Sequence, residues 1–172
     1  DSFALLSKAD KLSSDQKVAA ITCLSQAAGK DGMCLGQGLD LFWTGKENFT
    51  MDDLDRIHLN KTGKLISAAC KLGAVCAGAD NEKAKKLENF GLALGLAFQV
   101  IDDLIDTYEG TGKTQGKDIE QGKLTYLLLM SAEAAREKAN QITETAFQTL
   151  SDMNLNNSDL QVLGKWLLER RK

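Results

Sequence analysis

At 172 residues with 43% apolar side chains, the chain has the size and content of one cored domain, or a large piece of one, which excludes a disordered tract. A formal charge of −3 and an isoelectric point near 5.2 argue against a nucleic-acid binder, whose affinity needs a net basic surface. The absence of proline and the 6% aromatic content, with Ala, Leu, Lys and Gly recurring, favour an all-α protein over a sandwich or barrel.

No apolar run reaches the length of a membrane span, and the first residues lack the basic and apolar stretches of a signal peptide, so a cytoplasmic protein is expected. Cys23, Cys34, Cys70 and Cys76 have no metal-site or disulfide spacing and are expected as small buried hydrophobes with reduced thiols. With His58 as the one histidine, zinc catalysis has little to work with.

Residues 1–9, DSFALLSKA, have a helical pattern without a cap ahead of them, as if the chain starts inside a helix. Ser13 with Gln16 forms a capping box for a helix to about Gly29, broken by Lys30-Asp31-Gly32. The next stretch, GMCLGQGLDLFWTG, carries glycines that each cost a helix up to about 1 kcal/mol relative to Ala. Either close helix contact or close approach to a ligand offsets that cost, and Gln37 and Asp40 share one face of this stretch.

Thr50 with Asp53 caps MDDLDRIHLN, which runs directly into a helix through KLISAACKLGAVC, with Lys61 and Thr62 at the join. From Asn81 a further helix places Leu87, Phe90, Leu94, Ala97, Phe98 and Ile101 on an apolar stripe and ends in FQVIDDLID. A segment with four glycines and Lys113, Lys117 and Lys123 follows and reads as a mobile loop. Then come a short helix in TYLLLMS, a long one over Ala132–Leu150 and a last one capped by Ser158 with Gln161.

Asp102, Asp103 and Asp106 carry the chemistry. At spacings of three and four their carboxylates share a helix face, and charges that close repel unless a cation lies between them. An oxygen-only set suits Mg²⁺, which keeps waters and shares its shell with phosphates. Lys61, Lys113, Lys117 and Lys123 can then neutralise the remaining oxygens of a diphosphate and promote its departure. The competing reading is a solvated acidic corner; against it, the preceding helix is too apolar for a surface helix, so the aspartates should emerge at the mouth of a packed bundle.

GMCLGQGLDL, RIHLNKTGKLISAACKLGAV, GLAFQVIDDLID and GKTQGKDIEQGKLTY, in that order and across nearly the whole chain, resemble the trans-isoprenyl diphosphate synthases, most closely their bacterial farnesyl diphosphate synthase type. The resemblance implies a helical bundle of the isoprenoid synthase type, here lacking its N-terminal helices, with residues 1–172 forming the C-terminal part of one domain. It implies that Asp102, Asp103 and Asp106 are the second aspartate-rich motif, which holds Mg²⁺ on the allylic diphosphate. Lys61 and Thr62 match the lysine–threonine pair on that diphosphate, and Gln99 matches the glutamine beside the metal. Lys113 and Lys123 match diphosphate-contacting positions, Lys117 less closely. Gln37 and Asp40 match supporting polar residues, and Arg170, Arg171 and Lys172 a basic tail that helps close the site.

The implied reaction is condensation of isopentenyl diphosphate with an allylic diphosphate, dimethylallyl or geranyl, to farnesyl diphosphate. A geranylgeranyl product or a non-catalytic subunit related to these enzymes is the alternative. The first aspartate-rich motif and the isopentenyl site are expected upstream of Asp1, so the N-terminal half of the same enzyme is an implied partner, as is a second copy in a homodimer. Leu127 stands where many relatives have proline, and the segment before Lys117 is short for the family.

Overall fold

The computed structural model describes residues 1–106, 122–156 and 158–169, and every element assigned among them is helical. In chain order these are α1 (Ser2–Ser7), α2 (Ser14–Ala28), α3 (Met33–Trp43), α4 (Met51–His58), a π-turn (Leu59–Gly63), α5 (Lys64–Cys76), α6 (Asn81–Ile105), a 3₁₀ turn (Tyr126–Leu128), α7 (Ala132–Asp152) and α8 (Asp159–Glu169). The class is all-α, as the composition predicts.

Side-chain caps set the helix starts. The Gln16 amide donates to Ser13 Oγ at 3.2 Å while the Ser13 amide donates to Gln16 Oε1 at 2.9 Å, and Thr50 and Asp53 repeat the arrangement ahead of α4. The Gln161 amide donates to Ser158 Oγ at 3.3 Å. α1 has Asp1 at its cap position without a side-chain cap bond. The helix expected in TYLLLMS is a single 3₁₀ turn, and α7 ends at Asp152 instead of Leu150.

α6 is the central helix, with α5 and α7 packed against it. Phe90 and Leu94 meet Ala146 and Leu150 of α7 in one cluster. Nearer the aspartates, Val100 and Leu104 join Leu54 and Ile57 of α4, Tyr126, and Ala135 and Ala139 of α7 in a second. Each fully buried Leu, Ile or Phe side chain contributes about 1.5–3 kcal/mol to folding. α6 lies almost directly on the backbone of its neighbour: a methyl group at Gly95 would stand 2.6 Å from Gly63 Cα, and one at Gly91 2.7 Å from Ser67 Cα. That crossing fixes where the α4–α5 junction sits relative to the end of α6.

The four cysteines are free, but none is buried as expected: Cys23 and Cys70 are half-buried, Cys34 and Cys76 exposed. Cys70 packs at the edge of the Phe90 and Leu94 cluster, whereas Cys23 and Cys34 lie on helices that bury only Ala20, Ala27 and Gly36, and Cys76 is the last residue of α5. Among the described residues no helix is long and apolar enough to cross a membrane.

Candidate active site

Lys61 is set by a local change of helix type. The run from α4 to α5 is unbroken, but Leu59–Gly63 widens into a π-turn, a register shift often found at functional sites. Asn60 Nδ2 donates back to the Arg56 carbonyl at 2.7 Å, satisfying a backbone group beside the shift. α3 crosses here through Gly36, where a methyl group would stand 2.1 Å from the Lys61 amide nitrogen. The cost of a helical glycine at Gly36 is therefore offset by backbone contact. Gly38 meets nothing within 4 Å, and nothing in the structure accounts for it.

That crossing brings Asp40 onto Lys61. Their carboxylate and ammonium lie 2.5 Å apart, with side-chain exposures of 15% and 33%. Gln37 is exposed and Thr62 half-buried. At the far end of α3, the Gly45 amide donates to the Gly122 carbonyl at 2.9 Å, which draws the segment carrying half-buried Lys123 against the α3 terminus.

The three aspartates end α6, with Asp106 as its C-cap. They do not emerge together at an open mouth. Asp102 is half-buried, whereas Asp103 and Asp106 retain only 8% and 6% exposure. Asp103 is turned inward because the Tyr126 amide donates to its Oδ2 at 2.9 Å. A carboxylate so buried requires such partners. Among the described residues no three acidic, histidine or cysteine side chains converge to hold a metal ion.

His58 was missed as a site residue by sequence reasoning, and it is the point where the others meet. Its ring is buried, stacks on Tyr126 at 5.4 Å between centroids, and places Nε2 3.8 Å from Asp103 Oδ2. Gln99 lies close enough to favour the protonated ring without completing a hydrogen bond to either nitrogen. Burial, with the nearby Lys61 ammonium, lowers the His58 pKa to about 4, against the opposing pull of Asp40 and Asp55. The imidazole is therefore neutral near pH 7. Both its nitrogens and the hydroxyl of Thr125 are buried without a hydrogen-bond partner among the described residues. The available signal was a histidine one turn before the lysine–threonine pair, on the face that buries Leu54 and Ile57.

Behind this group, Asp55 of α4 accepts a short hydrogen bond from the Tyr126 hydroxyl, and Lys138 of α7 donates to its other oxygen at 2.9 Å. Burial, followed by the Asp55 carboxylate, pushes the Tyr126 phenol well above its ordinary range, so it stays a donor. Sequence reasoning passed over all three residues, whose partners are far apart in the chain.

The donor chemistry at the end of α6 fits Mg²⁺, which needs only one or two protein carboxylates when water and phosphate oxygens complete its shell. Asp102 and Asp106 can supply them while Asp103 keeps its bond to Tyr126. Lys113, Lys117, Arg170, Arg171 and Lys172 lie outside the described residues. Clefts of about 280 and 450 Å³ open beside Lys64 and Leu92, and none of the residues expected to act on diphosphate lines either.

A family model described as polyprenyl synthetase matches residues 1–158. The farnesyl diphosphate synthase of Escherichia coli K12 is 41% identical over 99% of the chain, which spans 60% of that protein. The chloroplastic geranylgeranyl pyrophosphate synthase 12 of Arabidopsis thaliana is 38% identical over 83% of the chain and 41% of its own length. Among solved structures, the geranyltransferase from Helicobacter pylori complexed with magnesium and isoprenyl diphosphate superposes with a TM-score of 0.79 at 36% identity, covering 97% of this chain and 55% of that one. With four ordered motifs, an all-helical bundle around α6 and a family match over most of its length, this chain belongs to the polyprenyl synthetase family.

Proposed function

We propose that this chain supplies the allylic-diphosphate side of a prenyltransferase that joins isopentenyl diphosphate to dimethylallyl or geranyl diphosphate and gives farnesyl diphosphate. The observation that carries the reading is the α4–α5 junction, where Lys61 pairs with Asp40 and the buried His58 ring meets Asp103 at the carboxylate end of α6. The magnesium and isoprenyl diphosphate named for the Helicobacter structure support the same ligand chemistry.

Asp102 and Asp106 would hold Mg²⁺, which when bound would supply positive charge to the diphosphate. As that C–O bond breaks, negative charge grows on the leaving oxygens, and fixed cations aimed at them lower the barrier. Lys61 is fixed by Asp40, and its ammonium has three donors, so it can keep that carboxylate and still meet a phosphate oxygen. Lys123, and in this proposal Lys113 and Lys117, add further positive charge. Thr62 and Gln99 orient the diphosphate as hydrogen-bonding partners. Attack by the isopentenyl double bond leaves a cation whose proton the departed diphosphate accepts.

The rest of the reaction belongs to length that this chain does not span in its relatives, since it covers 60% of the Escherichia coli protein. The isopentenyl site and the first aspartate-rich motif are assigned to that remaining part of the same enzyme, which is proposed to work as a homodimer in the cytoplasm.

Incubation of the full-length protein with isopentenyl and geranyl diphosphates and Mg²⁺, with products read by mass spectrometry, is expected to give farnesyl diphosphate. A longer product moves the assignment to a geranylgeranyl synthase, and pyrophosphate binding without turnover moves it to a non-catalytic subunit. Absence of both binding and turnover overturns the reading. Turnover by these 172 residues alone overturns the need for the remaining part. In the active protein, Asp102→Ala is expected to abolish Mg²⁺-dependent diphosphate binding with little loss of stability, because removing one of several crowded like charges relieves repulsion. Unchanged binding in that variant contradicts its assigned role.

A further inference from the structure

We propose that Asp55, Tyr126 and Lys138 are positioning residues that brace Asp103 and so keep the carboxylates of α6 aligned with Lys61. The inference rests on the diphosphate reading given above and extends it to three residues that the motifs leave unassigned.

Tyr126 is the centre of the brace. It is fully buried, and four separate contacts define its position. Its backbone amide donates to Asp103 at 2.9 Å, its hydroxyl donates to Asp55, its ring stacks on His58 at an interplanar angle of 27°, and the Lys138 ammonium lies 5.4 Å from the ring centroid. Lys138 also donates to Asp55 at 2.9 Å, so α4, α7 and the 122–128 segment are tied to one side chain. The chain of bonds ends on the second carboxylate of the cluster, next to Asp102.

Volume alone does not explain this arrangement, because phenylalanine would fill the same space in the apolar cluster around Leu54, Val100 and Leu104. What the hydroxyl adds is direction. A partly buried carboxylate held by both a phenol and an ammonium cannot swing, and through it the Tyr126 amide is held against Asp103. Hydrogen-bonded partners of this kind behind the groups that meet a metal fix their orientation and tune affinity for it. Asp103 is the fastened member of the cluster, and its place on the last turn of α6 carries that fastening to Asp102 beside it.

The test is calorimetric titration of inorganic pyrophosphate into the full-length protein over a series of Mg²⁺ concentrations, alongside thermal unfolding. Tyr126→Phe is expected to raise the Mg²⁺ concentration for half-maximal pyrophosphate binding about tenfold. Asp55→Asn, which keeps the shape of a half-buried side chain, is expected to shift it in the same direction. Lys138→Met should follow them, and Lys138→Arg, which retains the ion pair, should return to the parent value. Lower melting temperatures with the Mg²⁺ midpoint within about twofold of the parent in both Tyr126→Phe and Asp55→Asn would make the network simple packing and overturn the proposal. If the unsubstituted protein binds no pyrophosphate at any Mg²⁺ concentration, the diphosphate reading itself fails and the brace falls with it, a result distinct from the first.

Discussion

His58 carries a pH signature that its surroundings dictate. Its folded pKa of about 4 lies below the ordinary 6.5, so the unfolded chain takes up the proton first as pH falls. The neutral ring's contribution to stability is complete above pH 6.5 and is lost as the pH drops toward 4. From pH 7 to pH 5 that loss is about 2 kcal/mol. Urea unfolding of the parent and of His58→Phe, which keeps the stack on Tyr126, should show the parent losing more stability over that interval by this amount. Identical pH dependence in the two proteins contradicts a buried neutral imidazole. Little of this was legible from the sequence. The spacing of Asp102, Asp103 and Asp106 announces carboxylates on one helical face, but which of them turns inward is decided by a backbone amide 23 residues along the chain. Lys61 and Thr62 were legible as a pair at a helix join, and the ion pair with Asp40 arises only when α3 crosses that join.

Helix starts were legible because a cap and its partner are three residues apart, as at Ser13 and Gln16 and at Thr50 and Asp53. The π-turn was not, since Leu59–Gly63 has no residue that an α-helix would refuse apart from its terminal glycine. The glycines of α3 were visible but their purpose was open. In the structure Gly36 is excluded from carrying a methyl group by the Lys61 backbone, and Gly38 is not. Gly36→Ala should therefore force α3 off the π-turn, separate Asp40 from Lys61 and cost about 1–3 kcal/mol. Gly38→Ala, in the same exposed helix, should gain about 0.5–1 kcal/mol. Chemical denaturation of the two variants checks the pair, and equal effects of one sign would contradict the crossing geometry.

The all-α class follows from a composition free of proline and rich in helix formers, and α6 was visible as one long apolar stripe. The way α5 lies on it was not visible, because it depends on Gly91 and Gly95 meeting the backbone of Ser67 and Gly63. Large apolar side chains remain exposed on the outer elements, Leu5 at 71%, Leu41 at 68% and Trp166 at 70% among them.

The central proposal is that Lys61 and Asp102 act on one bound diphosphate. A double-mutant cycle on Mg²⁺-dependent pyrophosphate affinity, using Lys61→Ala, Asp102→Asn and the double variant in the full-length protein, tests it directly. A shared ligand predicts a coupling energy of about 0.5–3 kcal/mol between the two substitutions. Losses that add to within about 0.3 kcal/mol would mean that the two residues do not share a ligand.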